Sequence, residues 1–222
     1  GTLTVRTLTT NTAAGATTLT LNAASTGGIL FSLNVFDTVS DPLAIVIDSA
    51  GAGLTTIQGA ANTYRGGTTV KRGELSAYGI LGSGAVLLGD TTGSSNATMN
   101  VRLPSSTASF TNNITVRSGS SGTKTLTTNA SGGAVLAGTL TLNDNLAFTA
   151  STAGTFNGAI SGTGDFVKGG TGLLTFAGAN TFSGDLTLNT GAFTLAATTG
   201  SLTFTIGANG VTNQVNGTTT GA

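Results

Sequence analysis

Between residues 161 and 195 the large apolar residues Phe166, Leu174, Phe176, Leu186, Leu188, Phe193 and Leu195 fall two apart within short runs, with Thr, Lys or Asp mostly between them. That is the period of a half-buried strand, and no window of the chain sustains a 3.6-residue period. Between the runs lie Gly169-Gly170-Thr171-Gly172, Gly178-Ala179-Asn180 and Asn189-Thr190-Gly191. Glycine and asparagine tolerate the positive φ that a tight corner demands, so the pattern predicts short strands joined by glycine-centred corners. Such punctuation suits a coil of parallel strands or a meander of hairpins.

The rest of the chain repeats the pattern more loosely. Residues 2–8 and 17–22 alternate as strands, and 28–36 and 43–48 are richer apolar runs flanking a turn at 37–42, where Asp37, Asp41 and Pro42 sit; the runs predict core, with a contact surface for another subunit as the alternative. Residues 90–96 have loop composition, 97–103 resume a strand that Pro104 stops, and 118–123 form a Gly/Ser loop. Phe110, Ile114, Val116, Leu126, Val135, Leu136, Leu140, Leu142, Leu146, Phe148, Phe156 and Ile160 carry the apolar set onward. Residues 201–206 predict a last strand, and 207–222 turn polar. No composition break marks a second domain, so residues 1–222 read as one unit, with 1–9 and 200–222 as subunit-linking terminal segments.

Internal repetition favours the coil. Residues 62–75 lie over residues 180–193 without a gap: Asn62 on Asn180, Tyr64 on Phe182, Gly66 on Gly184, Val70 on Leu188, Gly73 on Gly191 and Leu75 on Phe193. Gly59 precedes one copy as Gly178 precedes the other. Recurrence of one supersecondary unit is the mark of a solenoid, and a hairpin sandwich does not need it. The predicted repeat corners are therefore Gly59, Asn62, Gly66, Gly73, Gly178, Asn180, Gly184 and Gly191. With about 4.8 Å per coil and roughly 20 to 25 residues in each, the chain makes on the order of nine to eleven coils.

The string at 162–184, GTGDFVKGGTGLLTFAGANTFSG, its partner QGAANTYRGGTTVKRGEL at 58–75 and the following Gly79-Ile80-Leu81-Gly82-Ser83-Gly84 resemble the autotransporter-associated β-strand repeat, a passenger-type repeat of bacterial secreted and surface proteins. The resemblance implies a right-handed parallel β-helix displayed outside the cell, with no catalytic residues to carry over. An antiparallel β-sandwich or a mixed β fold is the alternative.

Composition narrows the function. Only 7% of residues are charged, and the 8 basic and 8 acidic residues are scattered, so no basic stripe follows a nucleic-acid backbone. The densest basic spot, Lys71-Arg72, reads as a solvated corner beside Gly73. There is no His and no Cys, which closes the serine-triad, thiol and zinc routes together. The remaining acids, Asp37, Asp41, Asp48, Glu74, Asp90, Asp144, Asp165 and Asp185, sit mostly beside turn residues, where turn-making accounts for them. Asn143-Asp144-Asn145 offers clustered oxygens but lacks both the EF-hand spacing and the calcium β-roll repeat. No apolar run approaches the roughly 18 residues of a membrane span, and no signal peptide opens the chain, which reads as a processed product. Tyr64 and Phe182, at one repeat offset, predict a structural stack of equivalent residues, and Tyr78 reads as a rim residue.

The terminal runs supply the positive argument. Residues 2–8 carry one charge, Arg6, and 201–206 carry none, so neither strand edge is blunted against pairing. Leu3, Val5, Leu8, Leu202, Phe204 and Ile206 are the candidate subunit contacts. The expected function is a non-enzymatic structural or adhesive extracellular protein that associates end to end with its own copies, with no cofactor and no metal. The alternatives are a carbohydrate-binding or carbohydrate-active β-helix that meets surface glycans, and a passive stalk carrying another domain away from the cell.

Overall fold

The structure, a computed structural model, describes residues 1–5, 15–23, 27–105, 108–130 and 132–195, and the backbone of 204–206. The described residues contain strands and no helix, because the period-2 alternation with a glycine every few residues leaves no stretch long enough for one. In chain order the N-terminal strands are β1 (Leu3–Val5), β2 (Thr17–Leu21), β3 (Ile29–Phe31), β4 (Leu43–Asp48), β5 (Leu54–Ile57), β6 (Thr68–Ala77), β7 (Val86–Leu88) and β8 (Ala97–Val101). Then follow β9 (Ser109–Phe110), β10 (Ile114–Val116), β11 (Lys124–Thr128), β12 (Ala134–Leu136), β13 (Leu140–Leu142), β14 (Leu146–Ala150), β15 (Gly154–Phe156) and β16 (Ile160–Gly162). The last are β17 (Phe166–Gly169), β18 (Leu174–Phe176), β19 (Leu186–Leu188), β20 (Phe193–Leu195) and β21 (Phe204–Ile206).

Every ladder among them is parallel, and each strand pairs with strands about one coil away in sequence, never with its chain neighbour across a hairpin. The protein is a parallel β-helix. The first sheet stacks ten strands in the order β1, β3, β5, the second half of β6, β8, β11, β14, β17, β19 and β21. Its longest step runs from Met99 to Leu126, 27 residues, and its shortest from Leu188 to Ile206, 18 residues. The second sheet stacks β2, β4, the first half of β6, β7, β10, β13 and β16. A third sheet, β9, β12, β15, β18 and β20, closes the coil from residue 109 onward. Before that point the third side is irregular: residues 32–42, 58–67 and 78–85.

Alternation fills one continuous core. In the second sheet Ile45, Val86, Ile114, Leu140 and Ile160 form one inward column, and Ile47, Val70, Leu88, Val116 and Leu142 another. The C-terminal coils are packed with phenylalanine. Phe148, Phe156, Phe166, Phe176 and Phe193 meet mostly edge to face at centroid distances from 4.8 to 5.9 Å. Outward positions are mostly threonine, which suits a pleated, half-solvated surface.

The apolar run at 28–36 is only partly core. Ile29, Phe31 and Val35 are buried, but Leu33 and Phe36 are exposed, because the chain leaves the sheet after Phe31 and its side chains stop alternating against the interior. In β4 alternate residues do the work: Leu43, Ile45 and Ile47 are buried while Ala44 and Val46 lie half-buried on the outside. The Gly/Ser stretch at 118–123 is an ordered corner, with Ser120 buried and Gly119 at φ 106°.

Candidate functional site

Two copies of the repeat and the ends of the stack are what sequence reasoning marked as functional. The aligned glycines do the same local jobs in both copies. Gly73 and Gly191 have φ of 87° and 83°, so each takes a conformation that L side chains avoid, and each bends the chain from one sheet into the next. Gly66 and Gly184 act differently: a Cβ on Gly66 would lie 2.6 Å from the backbone of Leu43 and Ala44, and one on Gly184 would lie 2.2 Å from the carbonyl of Gly164. Gly59 and Gly178 are similarly pressed, against Asn34 Cα at 2.6 Å and Gly158 O at 2.5 Å. Four of the six glycines are thus required by close approach of the preceding coil.

The asparagines are not positive-φ corners. Among the described residues every positive φ belongs to glycine, and Asn62 and Asn180 work through their side chains. Asn62, buried, accepts from the Val35 N–H at 2.8 Å and donates to the carbonyls of Gly59 at 2.6 Å and Ile80 at 2.8 Å, joining three successive coils. Asn180 accepts from Ile160 N–H and donates to Gly178 O. Asn112, which the sequence comparison missed, takes the same role: it accepts from Leu81 N–H and donates to the carbonyls of Leu81, Gly82 and Gly84. Its signal is the Asn two residues before an apolar strand, as in 112–114, without the rest of the repeat. The amides of Asn62 and Asn112 satisfy backbone groups along the irregular third side, and that of Asn180 serves the start of β16, the last strand of the second sheet.

Tyr64 and Phe182 occupy equivalent places, both buried, but they lie several coils apart and do not stack on each other. Tyr64 donates or accepts with Thr68 Oγ1 at 2.6 Å, and burial pushes its phenol above the ordinary tyrosine range. Phe182 instead packs on Phe176 at 6.3 Å.

The acids disperse. Asp37 accepts from the N–H groups of Leu43 and Arg65, and Asp41 from Gly15 N–H and the hydroxyls of Thr38 and Ser40. The Gly15 hydrogen bond, ahead of the two hydroxyls, holds the Asp41 carboxyl below the usual range. Asp48 pairs with Arg72, Glu74 accepts from Asn100, and Asp90 caps Thr91. Asp165 accepts from Asp185 N–H across one coil. Asp144 meets buried Lys124 at 2.7 Å, and although burial raises its carboxyl, the Lys124 and Asn145 hydrogen bonds outweigh that and lower it. Asn145 Oδ1 is occupied by Asp165 N–H, so the 143–145 cluster is built into a corner. No group of three metal-binding acid, His or Cys side chains occurs among the described residues.

One group was invisible to sequence reasoning. Lys168 sits in the inward column between Phe148 and Leu188 and is 0% exposed, with Nζ donating to the carbonyls of Gly169 at 3.2 Å, Gly170 at 2.9 Å and Thr190 at 3.0 Å. Burial holds its ammonium below the ordinary lysine range.

Of the terminal contact candidates, Leu3 and Val5 lie on β1, paired to β3, and Phe204 and Ile206 lie on β21, paired to β19. Leu3 continues the inward column of Ile29 yet is 62% exposed. Leu8 and Leu202 fall outside the described residues.

A glycine-hinged unit repeated along a parallel β-solenoid defines the class of this protein. The model of the passenger-associated-transport-repeat family matches residues 50–77 and 166–197, which bears out the resemblance read from the sequence. Among curated proteins and solved structures nothing matches the chain. The repeat and the fold suit a passenger-domain stalk, and the repeat family points to an extracellular or surface protein. No helix among the described residues is long and apolar enough to cross a membrane.

Proposed function

We propose that the protein is a non-enzymatic structural element of the bacterial cell exterior, a rigid β-solenoid whose copies associate end to end. The observation that carries this is β1. Its inward residue Leu3 belongs to the core column and is 62% exposed, and among the described residues β1 pairs on one side alone. Such an edge offers unpaired N–H and C=O groups beside apolar side chains, a template for another parallel strand. A rung from a second copy would fit it, and a head-to-tail contact of this kind does not close, so it propagates as a filament.

Negative-stain electron microscopy and light scattering over a concentration series test this. The expected result is rods that lengthen with concentration in steps of one molecule. Single rods at every concentration, with β1 amides exchanging freely throughout, would overturn it. That outcome would leave the second reading, a passive stalk that spaces another domain from the cell, which the passenger repeat by itself supports.

A further inference from the structure

The outward positions of the strands are uneven in chemistry. From β1 to β20 they are Thr, Ser, Ala, Val, Leu or Gly, with five exceptions: Asp48, Lys71, Arg72, Glu74 and Asn100. All five lie on β4, β6 and β8, around the corner where the second sheet passes into the first. Glutamate and asparagine are poor strand formers, and neither is needed for a face that threonine covers elsewhere, so their placement on adjacent central strands points to a task other than folding.

The patch is organised. Arg72 Nε pairs with Asp48, and Asn100 Nδ2 donates to Glu74 Oε1 at 2.9 Å. At the other end of the same strands the Arg102 guanidinium lies 5.2 Å from the Tyr78 ring centroid. Between these pairs runs a trough. A depression beside Arg72 and Asn96 shares Gly51, Gly73 and Asn96 with the next, over Glu74 and Thr98, and that one shares Ala52 with a third of about 390 Å³ that is lined by Leu54, Gln58 and Tyr78. Ser76, in one column with Thr56 and Asn100, is buried beneath it, and its hydroxyl has no hydrogen-bond partner.

We propose that this trough binds an uncharged oligosaccharide laid along the strands, across the solenoid axis. Planar carboxylate, amide and guanidinium edges match the vicinal hydroxyls of a sugar, and the leucines and the tyrosine offer apolar surface to its C–H face. The two pairs are already fixed to one another, so little side-chain entropy is lost on binding. Charges of both signs alternate across the patch, which favours a neutral ligand over a phosphate or a nucleic acid. From Arg72 to Tyr78 the trough follows the strand direction for six residues, about 20 Å, enough for about four sugar rings of an extended glycan.

The test uses the ¹H–¹⁵N spectrum of the full chain titrated with cellohexaose, chitohexaose and maltohexaose in turn. At least one of them is expected to shift the amides of Glu74, Ser76, Tyr78, Asn100 and Arg102 saturably. Tyr78→Ala and Glu74→Gln should each weaken that binding about tenfold, and Thr175→Ala on the third sheet should leave it unchanged. No saturable shift with any of the three at millimolar saccharide overturns the proposal, as do shifts mapped to another face or equal binding by the Tyr78 and Glu74 variants. If either variant misfolds, the shift map of the unmutated chain decides. The titration is run at a concentration at which light scattering shows single molecules, so it stands or falls apart from end-to-end association.

Discussion

At the scale of the residue, the glycines separate into two kinds that the sequence writes with one letter. Gly184 is held by contact, its missing Cβ facing the Gly164 carbonyl at 2.2 Å, whereas a Cβ on Gly169 would meet Thr149 Oγ1 at an ordinary 3.6 Å. Gly184→Ala therefore forces two backbones apart and is expected to cost about 1–3 kcal/mol, while Gly169→Ala should change stability by less than about 0.5 kcal/mol, both read from chemical-denaturation midpoints. Lys168 makes a different prediction. Its ammonium is held below the ordinary value of 10.5 by burial, so between the depressed value and 10.5 the unfolded chain binds more protons than the folded one. Stability should accordingly rise with pH across that window, and fall back as pH drops through the folded value. Melting the protein and its Lys168→Met variant from neutral pH to 10.5 checks it: the rise belongs to the unmutated chain and should vanish in the variant. The presence of this lysine in the core could not be foreseen, because in the string Phe166-Val167-Lys168 its alternation is right for the interior but its charge argues for the surface. Only the nearby corner carbonyls of Gly169, Gly170 and Thr190 reconcile the two.

At the scale of the element, strand, corner and repeat were legible because a period of two and a glycine every few residues leave few other structures open. The side of the coil on which each copy falls was not. Residues 68–70 pair in the second sheet and their aligned partners 186–188 in the first, and after the shared glycine bend Leu75 lies in the first sheet and Phe193 in the third. The repeat thus encodes a bend between two short strands, and the lengths of the intervening coils, from 18 to 28 residues, decide which side it occupies. Local alternation carries no information about that sum. The two halves also hold themselves together by different means. Phe176 touches Phe156, Phe166, Phe182 and Phe193, so Phe176→Ala should open a cavity costing about 3–5 kcal/mol. On the irregular third side the bonds of one amide replace such packing. Asn112→Ala leaves the Leu81 N–H and carbonyls of the Gly82–Gly84 turn without partners and should cost about 3 kcal/mol, with Asn113→Ala, whose exposed amide accepts only from Thr139 N–H, costing about 1 kcal/mol. Thermal unfolding of these variants ranks the three sites.

At the scale of the whole molecule, a stack in which each coil touches only its neighbours has stability that adds along the axis and is lowest at the ends. Interior strands such as β11 and β14 are paired on both sides, and β1 on one side among the described residues. Amide exchange should therefore be slowest at residues 124–128 and 146–150 and fastest at 3–5 in a dilute sample. Concentration supplies the discriminating variable. If copies join through the open edge, the strand that gains a partner gains hydrogen bonds for its free N–H groups, and protection at residues 3–5 should rise with concentration while that of β11, already paired on both sides, stays constant. Exchange–mass spectrometry on one preparation at several concentrations measures both at once. A rise confined to the β1 peptide locates the contact at the end of the stack, whereas a rise spread over 155, 175 and 194 would place it on the threonine face of the third sheet, and side-by-side association would then replace the end-to-end filament.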